Sequence, residues 1–400
     1  MKKKFLIKNR KFSYKMIIVL ILFLFALVFS FDCGYVSANE NDFTHELYSG
    51  AIDVVDIIDF SELDEVVADI DNYELFENLS VREKIEKLLS GDFELDYSNV
   101  ISVILSILFK NIRNILPLIF AIIGISMLTS MVLNFQTDNQ KSDIVYFICF
   151  SLLVTIVIVA FKGILETTST ILNSIHTQMG IVFPILITLL ASIGSMSAIS
   201  IYNPLVAILT NGVNLIFSKL LFPMFIVILL FTILNSLTDN IKLDKFISFF
   251  TSTFKWVIGI VFTLFIGFLS IQGISAGKFD SVSIKATKFA VKSYIPIIGS
   301  YISDGMDFIV LGSILVKNSI GLIGVFVLFI SIISPIITIV IFKLGLQLSS
   351  GVIELAGNNR MSSFISSCSK LLLLPIVLIL GVALMYVITI CLIMCTANII

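Results

Sequence analysis

Apolar runs separated by short polar turns dominate the chain from Val100 onward. The clearest runs hold 16–24 residues with almost no charge, and they are Ile115–Leu133, Ile144–Phe161, Leu220–Leu237, Trp256–Ile271, Ile320–Phe342 and Leu371–Met394. Because about 20 apolar residues suffice for a helix to cross a bilayer, each run predicts a transmembrane helix. Two further runs, Met179–Ala198 and Leu205–Ser218, are short or interrupted by Gly and Pro. The pattern therefore predicts an all-α polytopic integral membrane protein with about seven or eight transmembrane helices.

The first apolar run has a different character, because it is short and follows a basic stretch. Its basic residues are Lys2, Lys3, Lys4, Lys8, Arg10, Lys11 and Lys15. Met16–Phe31 is apolar except for Ser30, and the small-residue pattern Val36-Ser37-Ala38 follows. This order predicts a cleavable signal peptide at residues 1–38, with an uncleaved anchor as the alternative. In both cases the next residues are exported.

Residues 39–100 form an acidic exported segment that precedes the membrane domain at 101–400. The segment contains 18 of the 28 Asp and Glu residues of the chain, against three basic residues, Arg82, Lys84 and Lys87. Ser80 and Glu83 have the spacing of a capping box, which predicts a helix start, and Ser61 and Asp64 imitate it. We expect short amphipathic helices that either dock a partner or form a solvated spacer. Ile101–Phe109, which is too short to span, is expected to lie in the interface.

Composition and charge agree with a membrane protein and exclude other classes. Hydrophobic residues make up 58% of the chain and charged residues 14%, whereas soluble domains are about 45–50% apolar and about 25% charged. The basic residues are concentrated in the leader, so a folded basic face for nucleic acid is not expected.

Three lysines between the fourth and fifth clear runs form a candidate contact surface. Lys285, Lys288 and Lys292 fall on one face of a predicted helix. A basic amphipathic helix at an interface favours anionic lipid headgroups. Docking to an acidic partner is the sharper alternative.

Polar residues within apolar stretches form a candidate transport path. Asp304 and Asp307 share a helical face at spacing i, i+3, and charges at membrane depth usually mark an ion or substrate path. The alternative is that Ser303-Asp304-Gly305 forms a water-exposed turn between two half-helices. Asn211, Asn214 and Gln272 either join this path or link helices through hydrogen bonds.

Catalysis is not predicted. The only histidines are His45 and His176, and Gly273–Phe279 lacks the glycine spacing and the Ser/Thr of a phosphate-binding loop. After leader removal, Cys149, Cys368, Cys391 and Cys395 suggest neither a disulfide framework nor a zinc site. We therefore expect no enzyme activity, no metal and no cofactor.

The stretch from Ser270 to Val325 carries a family resemblance. It reads Ser270-Ile271-Gln272-Gly273, Lys285-Ala286-Thr287-Lys288-Phe289, Ile295-Pro296-Ile297-Ile298-Gly299, Leu315-Val316-Lys317-Asn318 and Gly321-Leu322-Ile323-Gly324-Val325. This stretch, and the order of leader, short exported segment and polytopic region, resemble the stage III sporulation protein AE family of endospore-forming bacteria.

The resemblance implies a function and partners. It implies a permease- or conduit-like membrane component of the channel complex that links mother cell and forespore. Its expected partners are other stage III sporulation membrane proteins and their associated ATPase. The expected location is the mother-cell-derived membrane around the forespore, with residues 39–100 on the extracytoplasmic side. The alternatives are a stand-alone ion-coupled secondary transporter and a scaffold that moves nothing.

Overall fold

The computed structural model describes residues 41–70, 79–90, 97–135, 139–237, 242–273 and 299–396, and every element in these ranges is helical. The chain divides into two units, Met1–Leu47 and Tyr48–Ile400. Eleven helices are numbered here in chain order: α1 Asn41–Ile57, α2 Ser61–Ile70, α3 Val81–Ser90, α4 Tyr97–Phe135, α5 Asn139–Ser192, α6 Met196–Ala207, α7 Phe222–Leu237, α8 Asp244–Gly273, α9 Gly299–Leu355, α10 Asn359–Leu371 and α11 Leu373–Cys395. The predicted signal peptide and the lysines at 285, 288 and 292 lie outside the described residues.

The prediction of an all-α membrane protein is confirmed, and several of the described helices are longer than expected. Among the described residues, six helical stretches are long and apolar enough to cross a membrane: Ile101–Val132, Ile144–Ser192, Lys219–Leu237, Asp244–Leu269, Asp307–Leu355 and Asn359–Cys395. The two runs Ile144–Phe161 and Met179–Ala198 were expected as separate spans. Most of both lies in one 54-residue helix, α5. Likewise, Ile101–Phe109 is the first part of α4 rather than a separate interfacial helix.

The longest helix, α9, organises the bundle. It has 57 residues with Pro335 inside it, and it packs against α4, α5, α10 and α11. At 1.5 Å per residue it is about 85 Å long, far more than the roughly 30 Å of bilayer hydrocarbon. Apolar side chains surround α11, and most of this helix is buried by its neighbours. The core of the bundle is therefore the contact of α11 with α5, α8 and α9.

Three helical hairpins close at one end of this bundle. The turn from α7 to α8 is tied by Asn235, whose side chain bonds the Asp244 carboxylate (3.1 Å) and accepts from the Leu243 amide (2.6 Å). The turn from α9 to α10 uses Gly357 at φ +86°, a conformation that favours glycine. The third hairpin is formed by α4 and α5, which follow each other along the chain. Aromatic pairs such as Phe150–Phe364, with ring centroids 5.2 Å apart, pack α5 against α10 near this end.

The segment that was predicted to be exported, which we continue to call the exported segment, forms three short helices, α1 to α3, that dock on the bundle. Val55 of α1, Leu63 of α2 and Ile85 of α3 are buried, and α2 and α3 contact each other and α9. The predicted capping box is confirmed, because the Ser80 amide donates to the Glu83 carboxylate (2.8 Å) and the Glu83 amide donates to Ser80 Oγ (3.3 Å). Thus these few residues gain their core by sharing it with α9.

The imitation of a capping box at Ser61 and Asp64 is not formed. Asp59 instead accepts from the Ser61 amide (3.0 Å) and caps α2. The Asp64 carboxylate turns to the next helix and accepts from the Val81 amide (2.6 Å). Asp64 therefore links the first turn of α2 to the start of α3.

Candidate functional site

The two aspartates predicted for a transport path lie in the first turns of α9. Residues 299–355 form one continuous helix, so Ser303-Asp304-Gly305 is not a turn between two half-helices. The Asp307 side chain is half-buried, and that of Asp304 lies outside the described side chains. Phe308, the residue after Asp307, presents its backbone to Gly50 of the exported segment. This part of α9 therefore meets the exported segment.

The three polar residues grouped with these aspartates are spread over other elements. Asn211 lies on an irregular stretch of π-helical turns, Ile208–Val213 and Phe217–Leu221, where its side chain is exposed and donates to the Ala207 carbonyl (3.3 Å). Asn214 begins the α-turn between them, and Gln272 lies in the last turn of α8. The side chains of these two residues lie outside the described ones.

Positions along α9 and α11 show how far the two aspartates lie from Asn211. Thr210, next to Asn211, lines a small cleft with His176 and Val382. Thr396 lies 14 residues beyond Val382 along the chain, and its carbonyl accepts from the Lys317 ammonium of α9. Asp307 lies ten residues before Lys317 on α9 and is therefore still further from the cleft. The two groups are thus about 35 Å apart along the bundle, and the structure does not gather them into one site.

The exposed face of α5 changes its chemistry at Lys162. Before it, the exposed side chains are mostly large and apolar: Ile144, Phe147, Ile148, Ser151, Leu152, Thr155, Ile158 and Val159. From Lys162 onward they are polar or small: Lys162, Gly163, Glu166, Thr170, Asn173, Thr177, Gly180, Pro184, Thr188, Ala191 and Ser192. We call this second set the polar stripe. Its spacing of three and four residues keeps it on one side of the helix for about 45 Å.

A belt of cations surrounds the bundle where this change occurs. It comprises Lys110, Arg113, Lys162, Lys219, Lys255, Lys343 and Lys370, which are seven of the twelve Lys and Arg residues described after residue 96. Six of them are exposed, and Lys343 is buried. Glu166, whose carboxylate lies 3.5 Å from the Lys162 ammonium, is the one acidic residue at this level among the described residues.

Contacts with α9 and α10 place much of the belt at one level. Asn111, between Lys110 and Arg113, accepts from Thr338 (3.0 Å), and the ring of Phe161 lies 6.0 Å from that of Phe342. The Ser369 hydroxyl donates to the Lys343 carbonyl (3.1 Å). These contacts fix the heights of Lys110, Arg113, Lys162, Lys343 and Lys370.

The remaining two belt residues are placed by aromatic neighbours. Lys219 lies between Phe217 and Phe225 along the chain. Phe217 lines the cleft with Val382, and the ring of Phe225 lies 6.2 Å from that of Phe161. Lys255 lies seven residues before Phe262, which packs on Gly381. With 1.5 Å per helical residue, all seven cations fall within a slab about 15 Å thick.

The belt divides the bundle into two halves. The hairpin half contains the three turns and consists of residues 115–135, 139–161, 222–237, 244–254 and 344–371. The head half contains the docked exported segment and consists of residues 97–109, 163–192, 256–273, 299–342 and 373–396. Large exposed apolar side chains cover α4, α5 and α7 in the hairpin half, including Phe120 and Leu230 at 66% and 51% exposure. On α5 the belt therefore marks a boundary between two kinds of surface, whereas α4 and α8 also expose large apolar side chains in the head half, among them Phe109 (65%) and Leu264 (68%).

The sequence motif Gly321-Leu322-Ile323-Gly324-Val325 forms the closest contact between α9 and α11. A β-carbon on Gly321 would lie 2.5 Å from the Met394 sulfur, and one on Gly324 would lie within 3.3 Å of Ile390 and Tyr386. Small residues allow helix axes to approach in this way. Lys317, which the sequence did not single out as a site residue, is fully buried and anchors the end of α11 through its bond to the Thr396 carbonyl.

Comparison with known proteins identifies the family of the chain. The family model for stage III sporulation protein AE matches residues 79–397. The stage III sporulation protein AE of Bacillus subtilis is 21% identical over 261 residues, which are 65% of this chain and 65% of that protein. No solved structure matches. The match covers most of the chain, including the docked helix α3, the cation belt and α11, and the chain belongs to the stage III sporulation protein AE family.

Proposed function

We propose that this multi-pass membrane protein is a conduit-like component of the channel complex between mother cell and forespore. Membership of a sporulation family and six membrane-span-capable helices support a role in spore development at a membrane. The proposed location is the mother-cell-derived membrane, with the exported segment on the extracytoplasmic side. The proposed partners are other stage III sporulation membrane proteins and their associated ATPase.

The polar stripe on α5 is the observation that favours a conduit over a scaffold. Polar side chains of a membrane protein normally face water or protein rather than lipid, because their exposure to lipid is costly. A stripe of eleven polar or small residues, about 45 Å long, suits the wall of a water-filled passage. On this proposal the passage is completed by neighbouring subunits that face the same stripe.

The length of the bundle supports a position between two membranes. Helix α9 is about 85 Å long, whereas a bilayer with its headgroups is about 40–45 Å thick. One half of the helix therefore extends beyond a single bilayer, together with the exported segment that docks on it. A rigid projection of this kind is what a component linking two membranes requires.

The first experiment measures heat-resistant spores from a deletion strain, with and without the restored gene. A large and restorable loss with normal vegetative growth supports the proposal. Normal spore yield would reject a role in spore development, leaving a general transporter.

The second experiment tests the polar stripe in a variant without native cysteines. Thr177→Cys and Thr188→Cys lie on the stripe, and Leu152→Cys is the matched control on the apolar face of the same helix. We expect the cysteines at the stripe positions to react with a membrane-impermeant, bulky maleimide. We also expect cells that carry the modified protein to form fewer heat-resistant spores. An unreactive stripe, or full function after its modification, would reject the conduit.

A further inference from the structure

We infer that the cation belt binds the headgroups of anionic lipids, so that the membrane–water interface lies at the belt and the hairpin half is the part within the hydrocarbon. The seven cations and the single carboxylate of Glu166 give this slab a strong positive excess. Six of the cations are exposed and come from α4, α5, α8, α10 and the π-helical stretch before α7. Lysine and arginine at this position attract anionic headgroups.

The surface of α5 on the two sides of the belt is the observation that indicates which half is immersed. Toward the hairpins, α5 exposes Phe147 (54%), Leu152 (54%) and Ile158 (45%), side chains that water would not accommodate in such numbers. Toward the head, the same helix exposes the polar stripe, which hydrocarbon would not accommodate. The change occurs within one turn of Lys162. A lipid boundary at this point satisfies both surfaces.

The thickness of the hairpin half agrees with one hydrocarbon layer. The apolar part of α5 that lies in this half, Ile144–Phe161, is about 27 Å long, and the hydrocarbon of a bilayer is about 30 Å thick. The polar hairpin of α9 and α10 lies inside this half, where Ser350 and Ser362 are buried and bond each other's backbone carbonyls (3.0 and 2.9 Å). The half that enters the lipid thus exposes large apolar side chains on α5, and its polar hairpin pairs the buried hydroxyls of Ser350 and Ser362 internally.

A natural reporter of depth lies in the belt. Trp256 is the only tryptophan of the chain, follows Lys255 directly and is 67% exposed. Tryptophan side chains concentrate at the membrane interface, where an apolar ring and an N–H group are both accommodated. Its fluorescence therefore measures the depth of the belt without any substitution.

The experiment uses the full chain in nanodiscs that contain lipids brominated at shallow or deep positions of the acyl chain. We expect Trp256 to be quenched most by the shallow bromines. In a Trp256→Phe background, Leu152→Trp is expected to be quenched most by the deep bromines and Thr177→Trp by neither. Deep quenching of Trp256, or of Thr177→Trp, would overturn the assignment of the interface and of the immersed half.

Headgroup chemistry is tested with phosphatidylglycerol in competition with phosphatidylcholine. Removing belt charge in Lys110→Gln/Arg113→Gln/Lys255→Gln is expected to reduce the preference for phosphatidylglycerol more than tenfold, since each cation near the surface contributes about fivefold. The matched variant Lys110→Arg/Arg113→Lys/Lys255→Arg keeps the charge and is expected to keep the preference. Equal preference in the neutralised and conserved variants would overturn the headgroup assignment. This result does not depend on whether the protein forms a conduit.

Discussion

Gly312 of α9 packs directly on Gly50 of α1. A β-carbon on Gly312 would lie 2.9 Å from both the carbonyl carbon and the carbonyl oxygen of Gly50, so any side chain would meet backbone rather than a movable group. Glycine at both positions lets the two helices approach this closely. The acidic exported segment is therefore a docked part of the head half, and this contact is one of the points at which it is held.

Gly312→Ala is expected to loosen the exported segment. The added methyl group cannot be accommodated without moving the backbone of α1, at a cost of about 1–3 kcal/mol. Hydrogen exchange of residues 49–57 and 81–90 should increase. Gly305→Ala is the matched control on the same helix, because no atom lies within 4 Å of its added β-carbon. Unchanged exchange in Gly312→Ala would mean that the contact does not hold the segment.

Ser350 and Ser362 are expected to stabilise the polar hairpin as a pair. Each hydroxyl donates to the carbonyl of the other residue, and both side chains are buried, so removal of one hydroxyl leaves a buried carbonyl with fewer partners. We expect Ser350→Ala and Ser362→Ala each to lower the free energy of unfolding in detergent by about 1 kcal/mol. The double variant should cost less than the sum of the two, whereas strict additivity would show that the hydroxyls act independently.

Acid is expected to release the first turn of α3. The amide and hydroxyl of Ser80 both bond the Glu83 carboxylate and hold the pKa of Glu83 below its ordinary value of 4.5. A carboxyl whose pKa is lowered in the folded state stabilises that state above its unfolded pKa and ceases to do so as the pH falls through the folded value. Protection of the α3 amides, corrected for intrinsic exchange, should thus be constant near neutral pH and fall below pH 4.5.

Glu83→Gln is the control for this acid response. Its amide cannot titrate, so protection of α3 should be lower at neutral pH and nearly independent of pH. A pH response equal to that of the unsubstituted protein would assign the effect to another carboxyl. Asp59 is the first candidate, because its pKa is also lowered by its bonds to Ser61.

Asp304→Asn/Asp307→Asn separates the conduit from an ion-coupled transporter. The two residues lie at the start of α9, about 35 Å along the bundle from Asn211, and the conduit proposal gives them no coupled ion. Spore yield should therefore stay within a few-fold of that of the unsubstituted strain. A loss comparable to gene deletion, with normal protein abundance, would favour the transporter.

The triple substitution Lys285→Gln/Lys288→Gln/Lys292→Gln tests the predicted basic contact surface. These lysines were expected to contact anionic headgroups or an acidic partner. Their neutralisation should reduce spore yield more strongly than the aspartate variant does, because attachment rather than ion coupling is lost. Equal spore yields in the lysine variant and the aspartate variant would contradict a role for this surface in attachment.

Hydropathy predicted the membrane helices well but not their lengths. The runs Ile144–Phe161 and Met179–Ala198 read as two spans because the residues between them are polar. In the structure one helix continues through them, with polar residues such as Lys162, Glu166 and Thr177 on its exposed face and others, such as Thr168 and Gln178, buried. A window that averages along the sequence cannot distinguish a turn from a continuous helix with a polar face, because it ignores the direction of each side chain.

Features that depend on neighbouring residues could be predicted from the sequence, whereas features that depend on helix packing could not. The capping box of Ser80 and Glu83 depends on residues three apart, and its spacing was sufficient to predict it. The cation belt joins Lys110 to Lys370 across most of the membrane domain, so no sequence window contains it. Helix packing creates the belt, and it could be recognised only once the heights of the helices were known.

The long helix α9 also acts as a lever. Pro335 removes one backbone hydrogen bond within it and is the natural point of flexure, close to the level of the belt. About 54 Å of helix lies on the head side of this residue and about 30 Å on the hairpin side. A bend of about five degrees there displaces the far end of the head side by about 5 Å, roughly one helical turn. A change around the hairpins that bent the helix at Pro335 would thus move the surface where the exported segment docks by a larger distance than the hairpins themselves.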